Sequence, residues 1–247
     1  MRVSTWNVLN GTSLDDGQVD AGRLRAVAAG LDVDLLALQE VDRGQPRSHR
    51  LDLTAVVADG AAHRFVPALV GTPGGTWRPA DGDALGEPEY GVGLVSRYPV
   101  RSWHVLRLAP ARVTAPVLLP GTRSVLWLKD EPRVAVAAVV DAPDGPLTVA
   151  ATHLSFVPGW NAVQLRRLSR WLRALPAPRL LLGDLNLPAR AAGAASGMQV
   201  LARARTFPAP APRVQLDHVL GTGLGPVRDV QTPSVPVSDH RPLVVEL

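Results

Sequence analysis

Two acidic-polar clusters, Gly183-Asp184-Leu185-Asn186 and Ser238-Asp239-His240, each abut a short apolar run. Residues 179–182 precede the first cluster and residues 242–245 follow the second, and both runs read as strands. Three more apolar runs finish in the same manner, on Thr5-Trp6-Asn7, Leu38-Gln39-Glu40 and Thr152-His153-Leu154. Carboxylate, amide and imidazole groups at strand ends can converge at one rim of a sheet. Such a set can hold a hard divalent cation and handle a proton beside it.

The spacing of apolar residues predicts the elements between these clusters. Asp20 caps a helix over 21–31, with Leu24, Val27, Ala28 and Leu31 on one face. Strands follow at 34–41 and 64–70, with a helix at 49–58 between them. Residues 72–88 and 110–121 are rich in Gly and Pro and read as loops. Strands at 90–96 and 100–108 are expected as a pair turned at Arg97-Tyr98-Pro99. A hairpin joins 134–140 to 147–153 around Pro143-Asp144-Gly145. Val163, Leu165, Leu168, Leu172 and Leu175 give a helix over 161–175 its apolar face, and a second helix is expected at 191–204. Strands at 180–183, 214–220 and 243–247 complete the set. Many strands with few helices imply packed sheets with helices outside.

Composition narrows the classes. Hydrophobic residues make up 46% of 247 positions, enough for a sizeable core in one domain spanning 1–247. The formal charge is +4, yet the sequence pI is about 10.5, because Lys129 is the only lysine and arginine supplies the remaining base. The arginines read as scattered, a codon-bias composition rather than a dedicated nucleic-acid stripe. The absence of cysteine excludes a disulfide framework, a thiolate zinc site and a cysteine nucleophile. No apolar run approaches the ~18 residues of a membrane span, and Met1 to Trp6 already belong to the first strand. A cytoplasmic monomer is therefore expected.

Seven segments in this order resemble the endonuclease/exonuclease/phosphatase superfamily, which includes deoxyribonucleases, abasic-site endonucleases, neutral sphingomyelinases and inositol-polyphosphate 5-phosphatases. They are TWNVLNG (5–11), LALQEVD (36–42), YGVGLVSRYPV (90–100), THLS (152–155), LLLGDLNLP (180–188), QLDHVL (215–220) and SDHRPLVVEL (238–247). The resemblance implies a four-layer α/β/β/α sandwich: two mixed β-sheets face to face with flanking helices. It also implies a metal-dependent phosphoric ester hydrolase of phosphodiesterase type, using magnesium (or manganese) and an activated water.

Residue by residue, the resemblance places Asn7, Glu40 and Asp239 at the metal. Asp184 would orient or deprotonate the attacking water, and Asn186 would hold a phosphate oxygen. Two residues apart in extended backbone, those side chains point the same way; an Asx turn is the alternative reading of the same residues. His240 would contact the phosphate or relay a proton, oriented by Asp217. His153 would act as general acid or as a phosphate donor. His218, next to Asp217 on its strand, points the opposite way and takes no role. Tyr90 could mark the rim, and Arg133 could reach a phosphate bidentately. The abasic endonucleases carry an aspartate two residues after the first asparagine; here that residue is Leu9. The expected partner is a phosphate ester: a small phosphodiester, a phospholipid headgroup or, as the alternative activity, DNA or RNA. A catalytically silent binding module would have lost one of Glu40, His153, Asp184 or His240, and all four are present.

Overall fold

The computed structural model describes residues 1–84, 86–118 and 125–247. The first sheet has seven strands in the order β14 (Asp229–Gln231), β15 (Leu243–Glu246), β1 (Arg2–Asn7), β2 (Leu35–Arg43), β5 (Glu89–Ser96), β3 (Ala62–Gly71) and β4 (Trp77–Pro79). The second has six, in the order β12 (Gln199–Val200), β13 (Asp217–Thr222), β11 (Arg179–Asp184), β10 (Gly145–His153), β9 (Arg133–Ala142) and β6 (Val100–Leu108). A separate hairpin pairs β7 (Thr114–Leu118) with β8 (Val125–Lys129). Both large sheets are mixed: β1 and β2 run parallel in one, β10 and β11 in the other, and the remaining pairs are antiparallel.

Side-chain alternation makes the layers. Val3, Leu35, Ala37 and Leu94 of the first sheet meet Val136, Val149, Leu180 and Leu182 of the second in one buried core. The intervening residues Trp6, Leu36 and Leu38 turn outward and pack under α1 (Ala21–Leu31) and α2 (Leu53–Ala58). On the opposite side Leu181 and Ala150 pack under α3 (Trp160–Leu172) and α4 (Ala189–Ser196). A period of two thus sends alternate residues of one strand into different cores. It also explains why the central strands read as unbroken apolar runs, since both of their faces are covered. The expected four-layer sandwich is the observed one.

Several boundaries differ from expectation. The second helix begins at Leu53, not at 49, because His49 and Arg50 have φ of 56° and 60° and Asp52 caps the helix instead. The helix expected at 191–204 runs from Ala189 to Ser196 and stops at Gly197 in the left-handed conformation. β5 and β6 do not pair: the turn at Arg97-Tyr98-Pro99 carries the chain from one sheet to the other. The loops expected at 72–88 and 110–121 contain β4 and β7, while residues 85 and 119–124 lie outside those described. No described helix is long and apolar enough to cross a membrane.

Candidate active site

Strand register does most of the assembly. On the second sheet His153 pairs with Asp184, and Asp184 with Asp217, so three polar side chains lie side by side across β10, β11 and β13. Gly183 permits this close approach, since a Cβ there would collide with the carbonyl oxygen of Thr152. On the first sheet Asn7 pairs with Gln39, which brings Glu40 beside it. The two ends meet: Asn7 Nδ2 donates to Glu40 Oε1 at 3.0 Å and to Asp184 Oδ2 at 3.2 Å. Asn7 Oδ1 accepts from the backbone N–H of Leu9 at 3.1 Å.

Glu40 sits in a β-bulge. Between Leu38 and Val41 the β2 strand advances three residues while β5 advances two, from Gly93 to Gly91. Glu40 takes φ of 55° there. The extra residue re-aims the carboxylate out of the ladder and into the rim. Asn186 and Ser238 are also left-handed, with φ of 50° and 75°. Such backbone costs of order 1–3 kcal/mol per residue and persists where the surroundings over-determine it. For Asn186 the determinants are visible: its N–H donates to Asp184 Oδ1 at 3.0 Å, and its carbonyl accepts from Asn161 Nδ2 at 2.8 Å. The Asp184–Asn186 segment is therefore an Asx turn, not extended strand, and the turn itself aims the amide at the site. Ser238 Oγ donates to Asn7 O at 2.6 Å and accepts from His240 N at 3.1 Å, tying the last cluster to the first.

The histidines sit in opposite electrostatic settings. His240 Nδ1 lies 2.8 Å from Asp217 Oδ2, its Nε2 lies 3.8 Å from Asp184 Oδ2, and its ring packs on Phe207 at 4.7 Å between centroids. Burial works against its charged form, but Asp217, then Asp184 and Asp239, outweigh it and raise the pKa to about 10. His153 is buried too, with Nε2 3.6 Å from Asp184 Oδ2 and Nδ1 3.4 Å from a guanidinium nitrogen of Arg133. Burial first, then Arg133 and His240, push its pKa well below 6.5. Asp184, buried between the two rings, is raised by desolvation to about 6, with His240 opposing the rise. Glu40 is raised by desolvation and further by Asp239, against the hydrogen bond from Asn7. Asp239 is raised as well, again chiefly by burial.

All eight expected site residues converge at this rim. His218 is where its strand phase put it, buried on the opposite face with Nε2 2.7 Å from Leu187 O. Tyr90 is 7% exposed, with the Arg47 guanidinium 5.7 Å from its ring centroid, and burial first, then the nearby Glu40, raise its hydroxyl pKa. Phe207 and Asn161 support His240 and Asn186 without any signal in the sequence that would have found them. Ser238 was visible only as part of the last motif.

The acidic groups fit a metal ion. Among the described residues neither Glu40 nor Asp239 pairs with a basic side chain, and both carboxylates are strained toward protonation by burial. A hard divalent cation beside them would relieve both. Asp184, Asp217 and His240 also offer one ligand atom each within 4.8 Å of one another, a set that could hold an ion. There, however, Asp217 Oδ2 is already held by His240 Nδ1, and of the three residues only Asp217 has an atom, Oδ1, buried without a hydrogen-bond partner among the described residues.

Comparison with known proteins agrees with this geometry. No curated protein sequence matches the chain. A structure of an endonuclease/exonuclease/phosphatase from Beutenbergia cavernae is 25% identical, with a TM-score of 0.68, covering 99% of this chain and 70% of that one. Sphingomyelinase C from Streptomyces griseocarneus is 18% identical with a TM-score of 0.59, covering 99% and 98%. A mannosyl-6-phosphatase from Bacteroides thetaiotaomicron is 18% identical with a TM-score of 0.61, covering 100% and 98%. The profile of one family matches residues 4–240, from the first strand to the last histidine of the rim. The chain thus belongs to the Endonuclease/Exonuclease/phosphatase family, whose members are generally phosphoester hydrolases.

Proposed function

We propose that the protein is a divalent-metal-dependent phosphoesterase of phosphodiesterase type, acting as one domain through direct attack of water. The observation that carries this reading is the position of Asp184. It lies within 3.2 Å of Asn7, 3.6 Å of His153 and 3.8 Å of His240, and its pKa is raised to about 6. A carboxylate so placed is a base near neutral pH, suited to orient a water and take its proton.

Glu40 and Asp239 would supply the carboxylates for magnesium (or manganese), and Asn7, whose amide now donates to Glu40, would complete the set. A divalent ion held there would neutralise phosphate charge and stabilise a leaving oxygen. The remaining work falls to the protein's own groups. Asp217 fixes the His240 ring and keeps it cationic, so its Nε2–H faces the cleft as a charged donor. His153, held neutral, presents a donor beside it. Asn186 Nδ2 lies 3.3 Å from His153 Nε2 and can turn from Leu154 O toward a phosphate oxygen. No covalent protein intermediate is required.

The likeness to a sphingomyelinase C and to a sugar phosphatase supports phosphate esters as a class and leaves the alcohol open. A magnesium-dependent panel tests the reading: a chromogenic phosphodiester, sphingomyelin, phosphoinositides, a sugar phosphate, supercoiled plasmid and short RNA. Hydrolysis of at least one ester, abolished by chelator and by Asp184→Asn, is expected. No hydrolysis across the panel in magnesium or manganese would reject it, and plasmid or RNA cleavage alone would make the protein a nuclease.

A further inference from the structure

Against the expectation of scattered arginines, the charge of this chain is partitioned. Residues 145–216 hold nine arginines and a single acidic residue, Asp184, for a formal +8. The rest of the chain holds seventeen basic and twenty-one acidic residues, for −4. The basic segment supplies β10, β11 and β12 of the second sheet together with α3 and α4, the helices that cover its outer face.

On α3 the arginines are arranged. Leu165, Leu168 and Leu172 face the sheet and are buried. Arg166, Arg167, Arg170 and Arg173 are all exposed. None of the four forms an ion pair among the described residues. At 3.6 residues per turn they fall within roughly 120° of the helix circumference, along roughly 10 Å of its axis. Val163 projects into the middle of that arc and is 45% exposed. The N-terminal end of the helix is tied to Ala109, whose carbonyl accepts from Trp160 Nε1 at 3.0 Å and Gln164 Nε2 at 2.9 Å. From Ala109 the chain leads through Val113, 50% exposed, to the hairpin that carries Trp127, 69% exposed.

We infer that the outer face of α3 is a docking surface for an anionic lipid bilayer. Four unpaired arginines supply charge complementarity to acidic headgroups. A nucleic-acid backbone would be matched by the same charge but gives no partner to an exposed valine amid the arginines. A bilayer interface accepts charge and valine together, because the charged tips stay with the headgroups while aliphatic stems and the apolar side chain sit slightly deeper. The helix begins at the catalytic rim, where Asn161 holds the Asn186 carbonyl, so docking would bring the cleft beside a membrane surface. The docking is independent of the hydrolase reading and stands or falls separately from it.

Vesicle sedimentation tests it, using phosphatidylcholine vesicles with and without phosphatidylserine at about one part in four, an amount that gives a clear negative surface potential. The protein is expected to sediment with the acidic vesicles and to remain in solution with phosphatidylcholine alone. The triple variant Arg166→Gln, Arg170→Gln, Arg173→Gln is expected to lose roughly a hundredfold in partitioning, from about fivefold per arginine. Val163→Ser should weaken vesicle binding and leave binding to a DNA duplex unchanged. Neither variant touches the rim, so hydrolysis of a soluble ester should equal that of the parent protein, and any failure of that activity concerns the hydrolase reading alone. Absence of binding to acidic vesicles, or binding that survives the triple change, overturns the inference. Tight duplex binding lost in the triple variant, with no vesicle binding, would assign the face to nucleic acid instead.

Discussion

Arg133 lays its guanidinium against His153, with a terminal nitrogen 3.4 Å from Nδ1. Arginine has donors only, so this contact favours the tautomer with its proton on Nε2, the atom that faces Asp184; in that tautomer Asn186 Nδ2, 3.3 Å from Nε2, donates to Leu154 O alone. A histidine acting as general acid needs surroundings that favour its cation; here burial, Arg133 and His240 all oppose it and outweigh the Asp184 carboxylate 3.6 Å away. Of the two roles open to His153 from its sequence, donor to a phosphate oxygen is the one this contact supports. Imidazole nitrogen NMR should show His153 neutral at pH 7 with the proton on Nε2, while His240 is doubly protonated. Arg133→Met should raise the pKa of His153, and His153→Ala should lower turnover about 10²-fold, the scale of a lost donor to developing charge. A protonated His153 at pH 7 in the parent protein would restore the acid role.

Glu40 and Asp239 are half-buried carboxylates without an ion-pair partner among the described residues. Magnesium or manganese should raise the melting temperature, because an ion bound only by the folded state stabilises it by mass action. Glu40→Gln and Asp239→Asn should each abolish that rise. Glu40→Gln should in addition make the metal-free protein more stable, since it removes a carboxylate that folding pushes toward protonation. An equal magnesium effect in the parent and in both variants would place the ion elsewhere.

How much of this was legible beforehand can be argued residue by residue. His153, Asp184 and Asp217 end or begin apolar runs, and strand register alone then sets them side by side. Asn7 and Glu40 follow from the same logic on the other sheet. The bulge that aims Glu40 was not legible, because it depends on pairing with Gly91 and Gly93, far along the chain. The Asx turn at Asn186 was visible as an alternative, and extended geometry was the wrong choice between two local signals. The jump from β5 to β6 was hidden because a proline turn between two apolar strands looks the same in a hairpin and in a crossover between sheets. Arg133 was visible as a possible phosphate ligand or an ordinary strand-start arginine, but its contact with His153 was not, because that partner lies on the neighbouring strand β10, twenty residues away in sequence.

Stability should depend on pH through His240. Its pKa is about 10 in the folded protein against 6.5 for a free histidine. A raised pKa means the folded state holds the proton more tightly, so the contribution is complete below pH 6.5 and is lost as pH rises toward 10. Asp184, raised from 3.8 to about 6, acts in the same sense over a lower window, its contribution fading as pH rises through that range. The melting temperature of the metal-free protein should therefore fall between pH 6.5 and 10, and His240→Gln should flatten that fall. A parent and variant that decline in parallel would show that Asp217 does not hold an imidazolium.

Asp184 and Asp217 are adjacent carboxylates with different tasks, and their amides should separate them. Asp184→Asn removes the base at the centre of the rim and should lower turnover by ~10²–10⁴-fold, the range of a lost general base. Asp217→Asn leaves the His240 ring close to its place, since Ser238 still holds the backbone N–H of His240. It removes the charge that keeps the ring cationic, so His240 should titrate nearer its ordinary value. The rate should then fall as pH rises through that range, where the parent protein still carries imidazolium. Turnover against pH for the two variants, at saturating magnesium and substrate, is the measurement. A pH-independent loss in Asp184→Asn with a new alkaline limb in Asp217→Asn is expected. If Asp217→Asn lowers the rate uniformly and NMR still shows a doubly protonated His240, then Asp184 and Asp239 suffice to hold the cation and Asp217 only positions the ring.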